Sequence, residues 1–199
     1  MHPSVVAIRT PTLNDADELM GLQAASRDHL RPWVEPFRSR EAFAEWVDRS
    51  ALPTHNVNLI CRRSDGVILG AANLSQIHMG PLCSAYLGYW IGAPFAGQGV
   101  MRAGLRLLLD RAFGPLGLHR VEANIQPRNL ASIGLVRSLG FRCEGYSPRY
   151  LKIGGRWRDH ERWALLVEEW RTERASSSGA SAGRSPRAAS GTPRRGMRS

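Results

Sequence analysis

Three groups of residues in this 199-residue chain have types and spacings that could do chemistry. The first is the glycine-rich run Gly92-Ala93-Pro94-Phe95-Ala96-Gly97-Gln98-Gly99. It lies between an apolar stretch ending Tyr89-Trp90-Ile91 and a helix-forming stretch opening Val100-Met101. Glycine lets backbone N–H groups approach a ligand closely. The first turn of a helix has unpaired N–H donors, and its dipole favours an anion. Arg102 and Arg106 fall one turn apart near that positive end, where cations are unfavourable unless an anion is present. The pattern predicts a site for a diphosphate; a plain strand-to-helix turn with solvated arginines fits the same residues. The second group is Glu122 and Asn124, which share one face of a strand. The third is Asn129 and Ser132, at the start of a helical stretch, where either side chain can bond local backbone.

The elements that must hold these groups follow from periodicity and turn chemistry. Residues 5–9 read as a short strand. A helix follows over about 14–27, with Asn14 as its expected N-cap and Asp15, Asp17 and Glu18 in the first turn. Pro32 and Pro36 bracket a loop that carries Trp33. A second helix is expected over 41–49, with Phe43, Trp46 and Val47 on one face. Strands are expected over 57–62, 67–74 and 85–91, the first two joined by the hairpin signal Asp65-Gly66. The glycine-rich run opens a third helix ending near residue 113. A strand over 120–125 stops before Pro127, and a fourth helix over 130–139 ends at Gly140. The last strands fall within 141–146 and 150–167, turning at Ile153-Gly154-Gly155-Arg156. A meander feeding a β-α-β crossover predicts an α/β fold, a mixed central sheet with helices on both faces.

Composition bounds the rest. An apolar content of 43% suits one domain, placed at residues 1–171. Residues 172–199 hold six arginines, one acid and, from Ala175 onward, Met197 as the one large apolar side chain. That composition predicts a disordered basic tail. The net charge of +10 is almost wholly guanidinium, since lysine occurs once, at Lys152. Such a surface suits weak electrostatic association with RNA or a ribosome, or simply solvation. Cys61, Cys83 and Cys143 are scattered and form no C-x-x-C pair, so neither disulfides nor a metal site are expected, and the three read as ordinary buried residues. No run of about 18 apolar residues occurs, and residues 1–10 lack a secretion-signal pattern. A cytoplasmic protein with no membrane contact is expected.

Several ordered motifs resemble the GNAT family of acetyltransferases over roughly residues 5–168. Ala96-Gly97-Gln98-Gly99-Val100-Met101 is similar to the family's pyrophosphate loop, Q/R-x-x-G-x-G/A. The central glycine matches; Ala96 and Met101 depart from the pattern. Asn129-Leu130-Ala131-Ser132 resembles the family's N-x-x-S, and Arg137-Ser138-Leu139-Gly140-Phe141 the R/K-x-L-G-F that follows. Within the family, several stretches look like the RimJ/RimL type. These are Leu30-Arg31-Pro32-Trp33, the Gly99-Val100-Met101 step, the run from His119 to Asn124, Glu144-Gly145-Tyr146, and Gly155-Arg156-Trp157-Arg158-Asp159-His160.

The resemblance implies acetyl-CoA as co-substrate, no metal, and transfer to an amine. The implied acceptor is a protein N-terminus, such as the Ala-like N-terminus of a ribosomal protein. It also implies two parallel strands, 85–91 and 120–125, that splay apart around the pantetheine arm. The implied cofactor residues are Trp90, Ile91, Ala96, Gly97, Gln98, Gly99, Val100, Met101, Asn129 and Ser132. Glu122 is the expected base, acting through a water that Asn124 orients; an ion pair with an arginine at the sheet rim is its alternative. Ser132 is expected at the leaving thiolate, and Trp33 and Tyr150 at the acceptor. Acetylation of a small amine or antibiotic, and a non-catalytic acyl-CoA-binding or RNA-associated module, are the competing readings.

Overall fold

The computed structural model describes residues 5–182, with side chains over 5–175. In chain order the elements are β1 (Val6–Arg9), α1 (Ala16–Ala25), α2 (Arg27–Leu30), α3 (Arg40–Asp48), β2 (His55–Arg62), β3 (Ile68–His78), β4 (Ser84–Ile91), α4 (Val100–Phe113), β5 (Arg120–Ile125), α5 (Leu130–Arg137), β6 (Arg142–Ile153), β7 (Arg156–Leu166) and α6 (Val167–Ala182). The sheet order is β1-β2-β3-β4-β5-β7-β6. All neighbours run antiparallel except β4 and β5, which are parallel. This is the mixed sheet expected, with helices on both faces.

Alternation along the strands divides the core in two. On one face Ala72, Leu74, Leu87, Val121 and Ala123 pack with Leu105, Leu108, Leu109 and Phe113 of α4 and Ile133 and Val136 of α5. On the other, Leu59, Cys61 and Ala71 pack with Leu19 of α1 and Phe43 of α3. The helix α4 lies close on the sheet because it carries Gly104. A Cβ there would stand 2.5 Å from Ile60 Cδ1. That close seat sets the depth at which the N-terminus of α4 meets the end of β4.

Local chemistry adjusted some expected boundaries. The N-cap position of α1 falls at Asp15, not Asn14, after a short 3₁₀ turn over Leu13–Asp15, with no side-chain cap bond. Asp15 is buried and is bound by Arg9 Nη2 at 2.6 Å and by Thr12 N–H at 2.7 Å. The Arg9 guanidinium holds its carboxyl below the ordinary aspartate value. The Asp65-Gly66 hairpin forms, with Gly66 at φ +77°. Of the cysteines, Cys61 alone is buried; Cys83 is half-buried and Cys143 exposed.

The main correction lies at the C-terminal end. The boundary expected at residue 171 falls inside α6, which runs to Ala182. Trp170 is 3% exposed, tilts against Phe113 and donates to Asp110 Oδ1 at 3.0 Å. Arg106 is half-buried beside it, 2.8 Å from Glu173 Oε1. Glu173 and Arg174, of the segment expected to be tail, pair with Arg106 and Asp110 of α4; residues 183–199 lie outside the described residues. Several arginines of the basic surface are engaged in ion pairs, among them Arg40 with Asp17, Arg62 with Asp65 and Arg142 with Glu169. Among the described residues no helix is long and apolar enough to cross a membrane.

Candidate active site

The two parallel strands pair over three residues only: Ser84 with Arg120, Ala85 with Val121, and Tyr86 with Glu122. From there β4 continues through Leu87–Ile91 bonded to β3 alone, and β5 through Ala123–Ile125 bonded to β7 alone. The facing edges are left with unpaired N–H and C=O groups, an opening of the kind an extended amide-bearing ligand fills by strand addition. This is the splay expected of these strands.

Two cavities meet at the opening. The first, of about 560 Å³, runs beneath the N-terminus of α4. It is lined by Trp90, Ile91, Ala96, Gly97, Gly99, Val100, Met101, Asn129 and Ser132, with Trp33 at its side. These are the expected cofactor residues except Gln98, whose Nε2 donates instead to Pro94 O at 2.8 Å and shapes the loop. Gly99 caps α4 at φ +75° and Gly97 sits at φ +71°, left-handed conformations that glycine adopts without strain. The N-cap Gly99 makes no side-chain bond to the first-turn amides of α4, which are the donors an anion would need. Of the two arginines nearby, Arg102 donates to Ser138 O at 3.2 Å, and Arg106 is drawn to Glu173.

The second cavity, of about 380 Å³, opens on the α1/α3 face of the sheet. It shares Trp33, Val34, Tyr89, Trp90, Asn129 and Ser132 with the first. The rest of its wall includes Glu35, Asn73, Asn124, Leu151, Ile153 and His160. Asn124 Oδ1 is buried here without a hydrogen-bond partner.

At the junction Asn129 caps α5, its Oδ1 accepting from Ser132 N–H at 3.2 Å. Ser132 Oγ lies 2.7 Å from the hydroxyl of Tyr89. Burial pushes the Tyr89 phenol up to about 12, so it stays protonated at neutral pH and can donate to the serine. Tyr89 was quoted in the sequence motif but given no role. Its signal is strand alternation, which puts it on the face opposite Trp90.

The remaining expected residues separate from the cavities. Glu122 accepts from Arg120 Nε at 2.7 Å, and Arg120 also binds Glu144. This is the rim ion pair named as its alternative, and Glu122 is in neither cavity wall. Tyr150 is in neither wall either. It hydrogen-bonds Tyr86, lifting that phenol to about 12, and sets its ring against His160 with centroids 6.2 Å apart. His160 is the second residue that sequence reasoning passed over. Among the described residues no cluster of three or more His, Cys, Asp or Glu is placed to hold a metal ion.

Comparison with known proteins agrees with this geometry. A family model described as an acetyltransferase (GNAT) domain matches residues 6–142. The chain is similar to the probable N-acetyltransferase YjcK of Bacillus subtilis (strain 168), 34% identical over 171 residues, which span 81% of this chain and 93% of that one. It is 32% identical over 169 residues to the ribosomal protein uS5-alanine N-acetyltransferase of Escherichia coli (strain K12), covering 78% of this chain and 84% of that protein. Among solved structures, Mycobacterium smegmatis RimJ in complex with CoA-disulfide matches with a TM-score of 0.78 at 29% identity, covering 87% of this chain and 89% of that one. The chain belongs to the GNAT family of acetyl-CoA-dependent N-acetyltransferases.

Proposed function

We propose that this enzyme acetylates the N-terminal α-amino group of a protein whose first residue is small, such as alanine, and that ribosomal proteins are its acceptors. The observation that carries this reading is the charge of the acceptor-side cavity. Its wall holds one carboxylate, Glu35, which already accepts from Gly154 N–H and lies 3.5 Å from Arg38. A polycationic acceptor gives up the water around several ammonium groups on entering, and needs several acids in exchange. A single α-amine on a small residue needs one acceptor atom and an apolar wall. Asn124 Oδ1 offers the first, and Trp33, Leu151 and Ile153 the second. The similarity to a uS5-alanine acetyltransferase supports the same acceptor class.

The amine's own chemistry fits. An α-amino group has a pKa near 8, so an appreciable fraction is neutral at pH 7; a lysine amine, near 10.4, is almost fully charged. In this reading the α4 amides and the Gly97–Gly99 backbone hold the diphosphate of acetyl-CoA. The open edges of β4 and β5 bond the amides of its pantetheine arm, and Asn129 keeps Ser132 at the junction. Ser132 Oγ–H donates to the sulfur that leaves, while Tyr89 donates to Ser132 Oγ.

The test is thiol release from acetyl-CoA with four peptides beginning Ala, Ser, Thr or Met, an N-terminally blocked peptide with an internal lysine, and spermidine. The expected order places the Ala and Ser peptides first and leaves the blocked peptide and the polyamine unmodified. Faster turnover of spermidine than of any peptide would replace this reading with that of a small-amine acetyltransferase.

A further inference from the structure

The acceptor-side cavity holds a titratable group with no role in the acetyl-CoA site just described. His160 lies on β7, 3% exposed, in the wall of that cavity. Sheet register fixes where it faces. Asn124 of β5 stands opposite Arg162 of β7, and His160 is two residues from Arg162, so Asn124 and His160 share one face at the splayed end. Both line the same cavity.

The ring's hydrogen bonding decides which nitrogen is available. His160 Nδ1 lies 3.0 Å from the backbone oxygen of Arg158. A carbonyl oxygen only accepts, so Nδ1 carries the proton and donates it there. In the neutral ring Nε2 is then the bare nitrogen, with its lone pair free to accept. Asn124 Oδ1 complements it. An unpartnered buried oxygen is costly, and an incoming N–H donor recovers that cost. One residue offers an acceptor that can orient an amine, and its neighbour on the same face offers a base that can deprotonate it.

We infer that His160 Nε2 is the general base of the transfer, and that Asn124 Oδ1 holds the acceptor amine for it. The inference rests on the acetyl-transfer reading of this site but on no particular acceptor. The amine nitrogen forms a bond to the thioester carbonyl carbon with its lone pair. The proton it sheds goes to His160 Nε2. The C–S bond breaks, its electron pair leaves on the sulfur of CoA, and that thiolate is held by Ser132 Oγ–H until it takes a proton from water. The imidazolium then returns its proton to water. The products are the acetylated amine and CoA thiol. His160 takes the role that the sequence assigned to Glu122, whose carboxylate is held by Arg120.

The surroundings keep His160 in the form a base needs. Burial pulls its pKa below the ordinary histidine value, so the ring is neutral at pH 7. The charged and titratable groups around it are accounted for. Asp159, its chain neighbour, is taken up by the Tyr146 hydroxyl and Arg149 N–H. Tyr150 of β6 meets the ring edge-on, with centroids 6.2 Å apart. Glu35 is committed to Gly154 and Arg38 at the cavity's far wall, and Glu122 to Arg120. Arg156, Arg158 and Arg162 alternate onto the same face of β7 as His160, and cations nearby disfavour a charged ring. Tyr150 is therefore a positioning residue for the base rather than part of the acceptor wall.

The experiment is the single-turnover rate of acetyl transfer against pH for the wild type, His160→Gln and His160→Ala, with acetyl-CoA affinity measured alongside. The wild-type rate should fall on acidification below pH ~6.5, because protonated His160 cannot accept a proton. That limb is separate from the one set by the acceptor amine near pH 8. His160→Gln should lose about 10²-fold or more at pH 7.5, keep its acetyl-CoA affinity and lose the lower limb. His160→Ala should regain rate on addition of imidazole. A full rate in His160→Gln, a lower limb that persists in it, or no imidazole rescue of His160→Ala would overturn the proposal. Should both variants fail to bind acetyl-CoA, the wild-type profile decides: a limb below pH ~6.5 supports the base and its absence overturns it. If the wild type prefers spermidine to the Ala peptide, the α-amine reading falls, and the same profiles with spermidine still decide on His160.

Discussion

The contact between Tyr89 and Ser132 yields a quantitative prediction about the leaving group. Their oxygens lie 2.7 Å apart at the junction of the two cavities. If Ser132 Oγ–H stabilises the departing thiolate, Ser132→Ala removes a hydrogen bond to a charged group, about 1.5–3 kcal/mol, or roughly 13- to 160-fold in rate. Tyr89→Phe removes a neutral bond that only orients the serine, about 0.5–1.5 kcal/mol, or roughly 2- to 13-fold. The tyrosine acts through the serine, so in the Ser132→Ala background Tyr89→Phe should cost nothing further. The assay is a double-mutant cycle on single-turnover rates, with acetyl-CoA affinity measured for each variant to separate binding from chemistry. Losses that simply multiply would show that the two hydroxyls work independently. An unchanged rate in Ser132→Ala would remove the serine from the leaving-group site.

Two further predictions concern the elements that hold this site. Gly99→Val places a β-branched side chain at φ +75°, where the backbone strain is about 1–3 kcal/mol, and crowds the first amides of α4. Calorimetry should show acetyl-CoA affinity lost at least tenfold, and unchanged affinity would remove the diphosphate from that loop. Trp170→Ala should cost about 3–5 kcal/mol, lowering the melting temperature by roughly 6–20 °C, whereas truncation after Arg174 should leave turnover on a short peptide intact. Equal melting temperatures for Trp170→Ala and the wild type would show that α6 is not part of the folded unit.

The sequence was most legible where chemistry and backbone conformation coincide. Glycines at 97 and 99 sit at the positive φ that their places in the loop require, and Asn129 caps the helix it precedes. The order of strands and helices was readable because each strand is bounded by a turn with its own signal, as at Asp65-Gly66 and Gly154-Gly155. The site's side chains were harder. Glu122 and His160 are both polar residues on one sheet face, and strand alternation cannot say which meets a cavity and which an arginine. That depends on where β4 parts from β5, which is a property of pairing between segments distant in sequence. The last helix was missed because its apolar content is low. Only Val167 and Trp170 are buried in its first turns, too few to make a sustained periodic pattern.

The hydrogen bond from Trp170 to Asp110 spans 60 positions of the chain. Asp110 lies on α4, whose first turn meets the glycine loop, and Phe113 and Arg106 of the same helix also pack against Trp170. During synthesis α4 leaves the ribosome well before its cover does. At elongation rates of about 5–20 residues per second, the interval is roughly 3–12 s. Through that interval the back of α4 is bare and Asp110 lacks its indole partner. The helix that follows the glycine loop is thus fully buttressed only once translation has passed Trp170.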